Sequence, residues 1–422
     1  MLGIGTAPWE GVRLDPPACR GRHSGPRETP KMTEAPDAAA FDAYLDAVRR
    51  LVADRLIPAE PRLEGQETLP EDLTRLLREA GLFGISIPTR YGGGGLSMEQ
   101  QVRVMLEVTR ASAVYRARFS TTIGLGSQPI LYNGTEAQRQ DWLPRMASGE
   151  ATAAFCLTEP EHGSDAGGLR TRARRDGGEY VIEGVKRYIT NARQAQVFIV
   201  MARTDPESRD AAGISAFIVP AGTPGLRCGP ADRKMGQDGS ATSEVYFEGV
   251  RVPASALIGE REGGGFKTAM RGINHARLHV AVTCAGQAQR LVEEMLSYAM
   301  QRRQFDQPLA EFQLVQAMLA DSRAELLAAR SMILETARAF DAAGEAQGPL
   351  VADIACCKLF ASEMVCRVAD RAVQVHGGAG YMRGTPVEQL YRDARLFRIF
   401  EGASQIQQLL IARDMIRGAR RA

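Results

Sequence analysis

The hydrophobic residues of this chain change their spacing twice, and no other feature constrains the fold as strongly. From about Phe41 to Gly149 they recur at the intervals of amphipathic helices. A middle region contains short β-rich runs, such as 214–220 and 245–253, separated by glycine, aspartate and proline. After the glycines at 263–265 the helical spacing returns and continues to the C-terminus. The pattern therefore predicts a mainly α protein with a central β-domain, a small antiparallel barrel or sandwich, followed by an antiparallel helical bundle.

The same changes of spacing predict the domain boundaries. With 422 residues the chain exceeds one ordinary core, so several structural units are expected. Residues 1–34 are rich in proline, glycine and arginine and lack the continuous apolar segment of a signal peptide. We expect that segment to be disordered or an over-extended start. The remaining divisions are an N-terminal helical domain at 35–154, a β-barrel domain at 155–262 and a C-terminal helical bundle at 263–422.

Composition and charge argue against several classes of function. A net charge of +2 gives no support for binding to nucleic acid or to an anionic membrane surface. No apolar run reaches the roughly 18 residues of a membrane span. The cysteines are odd in number and lack C-x-x-C spacing, which indicates free thiols in a reducing cytoplasm. His275 and His279 are four residues apart but lack the context of a metal motif, so no metal site is predicted.

An acidic residue near the C-terminus lies at a predicted break between two apolar helices. Glu401 precedes Gly402, and Ser404 with Gln407 has the spacing of a capping box, so a new helix is predicted to start at Ser404. A carboxylate at such a break is partly desolvated, which raises its pKa toward the range of a general base. On this feature alone, a solvated acidic residue at a helix junction is the simpler interpretation.

Two strings near the start of the β-rich region suit a planar cofactor with a phosphate. Residues 157–165 (Leu-Thr-Glu-Pro-Glu-His-Gly-Ser-Asp) supply two hydroxyls and a glycine whose backbone can approach an anion closely. Residues 186–192 place Tyr188 and Thr190 two apart in a strand, hence on the same side. That pair can stack on a ring system and hydrogen-bond one of its heteroatoms. The simpler alternatives are a domain-boundary turn and an exposed edge strand.

Two further strings lie at helix ends in the predicted bundle. Residues 301–306 (Gln-Arg-Arg-Gln-Phe-Asp) end a helix with arginines, which the helix dipole favours and which can also meet phosphate. Residues 374–381 contain paired glycines after a helix. Such glycines form either a plain C-cap or a place where backbone packs directly on a ligand.

The order and spacing of these five strings resemble the acyl-CoA dehydrogenase family of flavoproteins, from about Phe41 to the C-terminus. One match would be weak, but five in the same order on a helix–barrel–bundle pattern are specific. The resemblance implies an N-terminal helical domain, a small antiparallel β-barrel and a C-terminal four-helix bundle. It also implies an oxidoreductase that binds FAD non-covalently between the β-domain and the C-terminal helices.

The resemblance assigns the cofactor contacts to particular residues. Tyr188 and Thr190 would lie against the isoalloxazine ring, with Thr190 near N5. Arg302, Gln304 and Phe305, together with the paired-glycine string, would reach FAD in a neighbouring subunit, which implies a homo-oligomer, a tetramer or a dimer. The full set implied to bind FAD is Phe155, Leu157, Thr158, Gly163, Ser164, Tyr188, Thr190, Arg302, Gln304, Phe305, Gln313, Gln374, Gly377, Gly378, Ala403 and Gln405.

The resemblance also assigns the chemistry. Glu401 matches the family's catalytic base, which takes the α-proton of an acyl-CoA while the β-hydrogen leaves as hydride to flavin N5, giving a trans-2-enoyl thioester. Some members carry the base at another position, which is Ala276 here, so that alternative is absent. Arg277 would orient or polarise the surroundings of Glu401. The implied substrate contacts are Ser164, Asn274, Arg277, Gly402 and Arg413.

Four positions depart from the family pattern. His162 stands where Ala or Gly is usual, Tyr188 where Trp or Phe is usual, Asp306 where Gly is usual and Ala403 where Thr is usual. The acyl chain is left open, as is a carrier-protein thioester in place of CoA. A flavin oxidase or monooxygenase and a non-catalytic scaffold are further alternatives, and Glu401 argues against them. The implied electron acceptor is an electron-transfer flavoprotein.

Overall fold

A computed structural model describes residues 37–208, 210–344 and 350–420. The prediction for residues 1–34 lies outside the described residues. Within the described ranges the elements follow the predicted order of helices, a sheet and a second set of helices. No helix of these ranges is both long enough and apolar enough to cross a membrane. The division at 154 and 262 stays a prediction.

The N-terminal region is helical because its apolar residues recur on one face and its helices begin at good caps. Ser97 and Thr135 each form a capping box with the glutamine three residues later. Short π-helical segments, Val52–Leu56 and Thr121–Gly126, follow the first and the fourth helix. The helices are α1 Ala38–Leu51, α2 Glu71–Glu79, α3 Met98–Val108, α4 Ala113–Ser120, α5 Ser127–Asn133 and α6 Glu136–Ala147.

The middle region forms a seven-stranded sheet in the order β1-β4-β2-β3-β7-β6, with β5 paired to β4. Its strands are β1 Ala153–Cys156, β2 Arg172–Asp176, β3 Glu179–Thr190, β4 Val197–Arg203, β5 Ile214–Pro220, β6 Leu226–Cys228 and β7 Thr242–Pro253. The predicted antiparallel pairing is wrong in one respect, because β4 runs parallel to β1 and, at one position, to β2. Strand periodicity records which residues are buried but not the direction of the partner strand.

The C-terminal region is a bundle built around the long helix α7. Its elements are α7 Gly265–Gln301, β8 Arg303–Gln304, β9 Gln307–Pro308, α8 Gln313–Ala343, α9 Val351–His376, α10 Gly378–Tyr381, α11 Pro386–Ala394 and α12 Ser404–Ala419. Helices α7, α8 and α9 pack against one another and α12 packs against α9, which confirms the predicted C-terminal helical bundle. Gly286 lets α7 approach α3 closely, since a Cβ there would lie 2.0 Å from the Thr109 hydroxyl.

Three apolar clusters hold these regions together. The largest runs from Phe41 in α1 to Phe397 beside α12, so the N-terminal helices and the bundle share one core. A second cluster joins one face of the sheet to α6 and to the start of α7. The third fills the other face of the curled sheet around Phe198, Phe217 and Phe247. The sheet is therefore fixed against α7 on one side, close to the Glu401 junction described below.

Candidate active site

The helix junction at Glu401 has the predicted break. Glu401 and Gly402 both have left-handed backbone angles, with φ of 52° and 89°, and α12 begins at Ser404 as predicted. The predicted capping box is wrong, because Ala403 is the N-cap and the Ser404 hydroxyl comes one position too late. Ser404 instead donates to Glu363 Oε1 at 2.6 Å. The junction is therefore held by contacts from other helices.

Three side chains fix the two carbonyl groups of this junction. Arg277 Nε donates to the Glu401 carbonyl at 3.2 Å, and Lys358 Nζ donates to the Gly402 carbonyl at 2.8 Å. Gln407 Nε2 reaches both carbonyls, at 3.3 and 2.8 Å. A Cβ on Gly402 would lie 2.5 Å from this amide nitrogen, so the turn requires glycine. The donors hold the left-handed backbone and fix where the Glu401 side chain starts.

The Glu401 carboxylate is nearly buried and incompletely satisfied. Its side chain is 13% exposed, and Oε2 has no hydrogen-bond partner among the described residues. Burial raises the pKa of this carboxyl above its ordinary value, although neighbouring positive charges lower it in part. In order of effect these charges belong to Arg116, Lys358 and Arg277. A desolvated carboxylate with one unpartnered oxygen is suited to accept a proton, and the neighbouring cations favour its ionised form.

Sequence reasoning found Arg277 but missed two of the three cations. Arg116 lies in α4 with its side chain 5% exposed, and its Nη2 is 3.8 Å from Glu401 Oε1. Lys358 is fully buried in α9, and burial lowers its pKa to about 8. The available signal was a basic residue inside an otherwise apolar helix segment, which is rare without a partner.

Helix α4 also connects this junction to the strand that carries Tyr188 and Thr190. Asn191, at the end of that strand, is buried and donates its amide to the Ala117 carbonyl at 2.8 Å and to Thr121 Oγ1 at 2.9 Å. Ala117 directly follows Arg116 in α4. The Thr190 end of β3 is therefore joined to the helix that presents Arg116 to Glu401.

The 157–165 string is anchored by a buried ion pair. Lys186 Nζ contacts Glu159 Oε1 at 2.8 Å, with side-chain exposures of 0% and 6%. The same carboxylate accepts from the backbone N–H groups of Arg170 and Thr171. Burial alone would raise the pKa of Glu159, but Lys186 and these hydrogen bonds hold it below its ordinary value. Because the pair closes the loop at its base, Gly163 and Ser164 remain exposed at its tip.

Tyr188 and Thr190 lie where a bulge alters strand β3. The pairing register with β7 shifts between Lys186 and Ile189, and Tyr188 has a left-handed φ of 59°. Tyr188 is 63% exposed, Thr190 is half-buried, and Ile189 between them is buried. The backbone of Arg187 donates to the Thr158 carbonyl at 2.8 Å, so this strand lies directly beside the 157–165 loop. These two strings form one surface.

The other two strings form a second surface at the far end of α7. Strands β8 and β9 make a hairpin whose turn, Phe305-Asp306, has φ values of 48° and 61°. Such a turn is normally Asn-Gly, and here it presents Phe305 with 87% exposure. Tyr298 of α7 stacks on His376 of α9 at 4.1 Å, which brings the hairpin toward the paired glycines. The exposed predicted residues of this surface are Arg302, Gln304, Phe305, Gln313, Gln374, Gly377 and Gly378.

The two surfaces are far apart in one chain. Arg277 and Gln301 are separated by 24 residues of the continuous helix α7, which corresponds to roughly 36 Å. Of the other predicted residues, Asn274 accepts from Arg277 Nη1 at 2.9 Å. Gln405 and Arg413 are exposed on α12. The structure therefore brings the predicted residues together as two separate groups.

His275 and His279 do not form part of a metal site in the described ranges, where no group of three His, Cys, Asp or Glu residues is arranged to hold an ion. Their rings meet edge to face at 4.5 Å in the interior. Burial lowers the pKa of His275 to about 4. His279 Nε2 lies 3.1 Å from Gln101 Oε1.

Comparison with known proteins identifies the family. The N-terminal, middle and C-terminal domain models of acyl-CoA dehydrogenase match residues 40–150, 154–250 and 263–416. A probable acyl-CoA dehydrogenase of Bacillus subtilis, YngJ, is 40% identical over 374 residues, which cover 88% of this chain and 97% of the relative. This chain belongs to the acyl-CoA dehydrogenase family. It is thus an enzyme of a family of FAD-dependent oxidoreductases.

Solved structures of acyl-CoA dehydrogenase relatives agree with the fold. Butyryl-CoA dehydrogenase from Megasphaera elsdenii is 33% identical with a TM-score of 0.84, covering 89% of this chain and 98% of that one. A chain from a structure of the electron transferring flavoprotein of Acidaminococcus fermentans is 33% identical with a TM-score of 0.85, at the same coverage. The helix–sheet–bundle order is the acyl-CoA dehydrogenase architecture.

The residues of this acyl-CoA dehydrogenase family member fit an FAD. The Tyr188 ring is exposed beside the 157–165 loop, as a stacking surface requires. A Cβ added at Gly163, Gly377 or Gly378 would meet no atom within 4 Å, so the backbone at each position is open to a ligand. Loop hydroxyls, backbone N–H groups and exposed arginine are the donors that a pyrophosphate needs.

Proposed function

We propose that this chain oxidises an acyl-CoA thioester to the trans-2-enoyl-CoA, with Glu401 as the base that takes the α-proton. The observation that carries the proposal is the buried Glu401 carboxylate with its unpartnered Oε2. FAD, when bound, would accept the β-hydrogen as a hydride at N5. The substrate thereby loses one proton and one hydride, and the new carbon–carbon double bond accounts for both.

The backbone around Glu401 supplies a second element of the mechanism. The carbonyls of Glu401 and Gly402 accept from Arg277, Lys358 and Gln407. The Glu401 N–H has no backbone acceptor among the described residues. It is available to donate to the thioester carbonyl, which acidifies the α-proton by stabilising the developing negative charge on oxygen. We assign Ser164, Asn274, Arg277, Gly402 and Arg413 to the substrate.

We call the surface formed by the 157–165 and 186–192 strings the near surface, and we assign it to the flavin of the same chain. Tyr188 and Thr190 would face the isoalloxazine ring, and the 157–165 loop would hold the pyrophosphate. The buried Lys186–Glu159 pair supports this arrangement because it fixes the loop against β3. Phe155 and Leu157 at its start are largely buried and would contact the ring edge from the sheet. Ala403 and Gln405 would close the site beside Glu401.

We call the surface formed by the 301–306 and 374–381 strings the far surface, and we assign it to the flavin of a neighbouring copy of the chain. Arg302 cannot reach the Glu401 region of its own chain across roughly 36 Å of helix α7. Phe305, Leu314 and Tyr381 lie in or directly beside the strings of this surface and are 87, 81 and 84% exposed, as side chains that contact a neighbouring copy would be. We propose a homo-oligomer, a tetramer in its usual family form. An electron-transfer flavoprotein would reoxidise the enzyme.

The test is an anaerobic titration of the FAD-loaded protein with a panel of acyl-CoAs. Bleaching of the visible flavin absorbance by one class of acyl chain is expected, with the enoyl-CoA recovered as product. Glu401→Gln is the matched control, because the amide preserves the shape of the side chain but cannot take the proton. An FAD-loaded protein that no acyl-CoA reduces would contradict the proposal.

A further inference from the structure

Arg187 directly precedes Tyr188 in the chain and stacks on its ring. The guanidinium carbon lies 4.5 Å from the centroid of the ring, which is the distance of a cation–π contact. Because Tyr188 is largely exposed, packing by the rest of the protein does little to hold this ring. The guanidinium covers one face, and the ring remains accessible to a second planar group on the other.

The arginine is itself fixed through both its side chain and its backbone. Arg187 Nη1 donates to both carboxylate oxygens of Asp232 at 2.9 Å, and Nε lies 3.7 Å from Glu244 Oε1. All three side chains are partly buried, so water and salt screen these contacts less than those of a fully exposed pair. The backbone N–H of Arg187 donates to the Thr158 carbonyl at 2.8 Å. A guanidinium held in this way can fix the ring on which it stacks.

Tyr188 needs such support because its backbone is in an unfavourable conformation. Its φ of 59° lies in the left-handed region, which is a rare conformation for a bulky residue. A residue stays in such a conformation only where the surrounding contacts hold it there. The neighbouring Ile189 is buried and anchors the strand on the C-terminal side. The stacked guanidinium adds a contact to the side chain itself.

We propose that Arg187 is a positioning residue for the flavin, which holds the Tyr188 ring in the orientation that stacks on the isoalloxazine. The inference rests on the proposed function, which assigns Tyr188 and the near surface to FAD. A ring that is already ordered loses little conformational entropy when the cofactor binds. A flavin on the open face also excludes water from the guanidinium–ring contact, which strengthens that contact. Arg187 thereby increases the affinity for FAD through Tyr188.

A second arginine–tyrosine pair in the same sheet provides a matched control. The guanidinium carbon of Arg227 in β6 lies 4.0 Å from the centroid of the Tyr246 ring in β7. Arg227 Nη2 lies 3.1 Å from Glu248 Oε1. This pair has the same combination of an aromatic ring and a carboxylate partner, but it belongs to neither string of the near surface. Removing Arg227 therefore tests the loss of such a contact from the sheet in general.

The experiment measures the affinity of the apoprotein for FAD from the quenching of flavin fluorescence. Arg187→Met is expected to weaken binding about tenfold, which is within the range of a desolvated cation–π contact. Arg187→Lys keeps a cation beside the ring and is expected to recover part of this loss. In a Tyr188→Leu background, Arg187→Met should change the affinity by less than about twofold, because no ring is left to hold. Arg227→Met should bind FAD as the wild type does.

The visible circular dichroism of the bound flavin gives a second readout, because it reports the surroundings of the isoalloxazine. The spectrum should change in Arg187→Met and stay unchanged in Arg227→Met. Wild-type affinity in Arg187→Met or in Tyr188→Leu would refute the inference. An undiminished tenfold effect of Arg187→Met in the Tyr188→Leu background would refute it too, since Arg187 would then act without the ring.

These measurements need no acyl-CoA, so they separate the inference from the proposed function. If the variants bind FAD as expected but no acyl-CoA reduces the loaded wild type, the oxidation of acyl-CoA fails and the role of Arg187 stands. If acyl-CoA reduces the wild-type flavin but Arg187→Met binds FAD as tightly as the wild type does, the role of Arg187 fails and the proposed function stands.

Discussion

Glu401 and Phe305 belong to the same predicted site, yet one is 13% exposed by its side chain and the other is 87% exposed. Around Glu401 a single chain supplies the side chains that donate to the backbone carbonyls, the neighbouring cations and the burial of the carboxylate. Around Phe305 the chain supplies an exposed hairpin, and within the described residues Phe312 is the only aromatic ring that packs against Phe305. The difference supports the proposals made above, in which one chain supplies all the groups around the base, whereas the far surface acts on the FAD of a neighbouring chain.

Replacing the Glu401 carboxylate should abolish turnover at the buried site and leave FAD binding unchanged. Glu401→Gln is expected to lower kcat by about a thousandfold or more, because a neutral amide cannot act as a base. FAD content, measured from the visible spectrum, should stay at the wild-type level. Steady-state turnover with an artificial electron acceptor gives kcat. Retained turnover would place the base elsewhere.

Removing one member of the buried ion pair tests how the near surface is held. Lys186→Met leaves the Glu159 charge buried and unpaired, so the free energy of unfolding should fall by about 3–5 kcal/mol. Chemical unfolding followed by circular dichroism measures the change. The double variant Lys186→Met/Glu159→Gln should recover part of the loss. Equal stability of the single variant and wild type would show that the loop is anchored by other contacts.

A change in Lys358 tests whether the cations around Glu401 influence the pKa of its carboxyl. Lys358→Met removes a donor to Gly402 and a cation that lowers the pKa of Glu401. Because the base works only when ionised, the acid limb of the kcat/KM profile should move to higher pH, and kcat/KM should fall about tenfold. Lys358→Gln is the control, since it can keep a donor but not the charge. A loss of activity with an unmoved acid limb would indicate a structural role only.

The smallest effect is expected at the exposed far surface, where Arg302 is proposed to contact FAD. Arg302→Ala should weaken FAD retention about fivefold, as expected for one partly solvated charged contact. Flavin retained after gel filtration, with the oligomeric mass from ultracentrifugation, measures it. Arg55→Ala removes an equally exposed arginine in the N-terminal region and should change neither quantity. Full flavin occupancy in Arg302→Ala would exclude the role proposed for the neighbouring subunit.

The sequence was sufficient for those parts of the structure that depend on neighbours along the chain. It predicted the helix–sheet–helix order, the C-terminal helical bundle and the helix start at Ser404, since these follow from periodicity and local breaks. It missed the roles of Arg116 and Lys358, which come from helices 285 and 43 residues away from Glu401 in the chain. It also missed the parallel pairing of β1 with β4. Contacts between distant segments leave no periodic signal.

The left-handed backbone of Glu401 has an evolutionary consequence. Glycine, asparagine and aspartate adopt this conformation readily, whereas a longer side chain such as glutamate is held in it against the preference of its backbone. Under the proposed function, proton abstraction gives a reason to keep glutamate at a position whose backbone conformation favours glycine. In a lineage released from catalysis, position 401 should therefore be among the first to drift. Its identity would then distinguish working relatives from those that keep only the architecture.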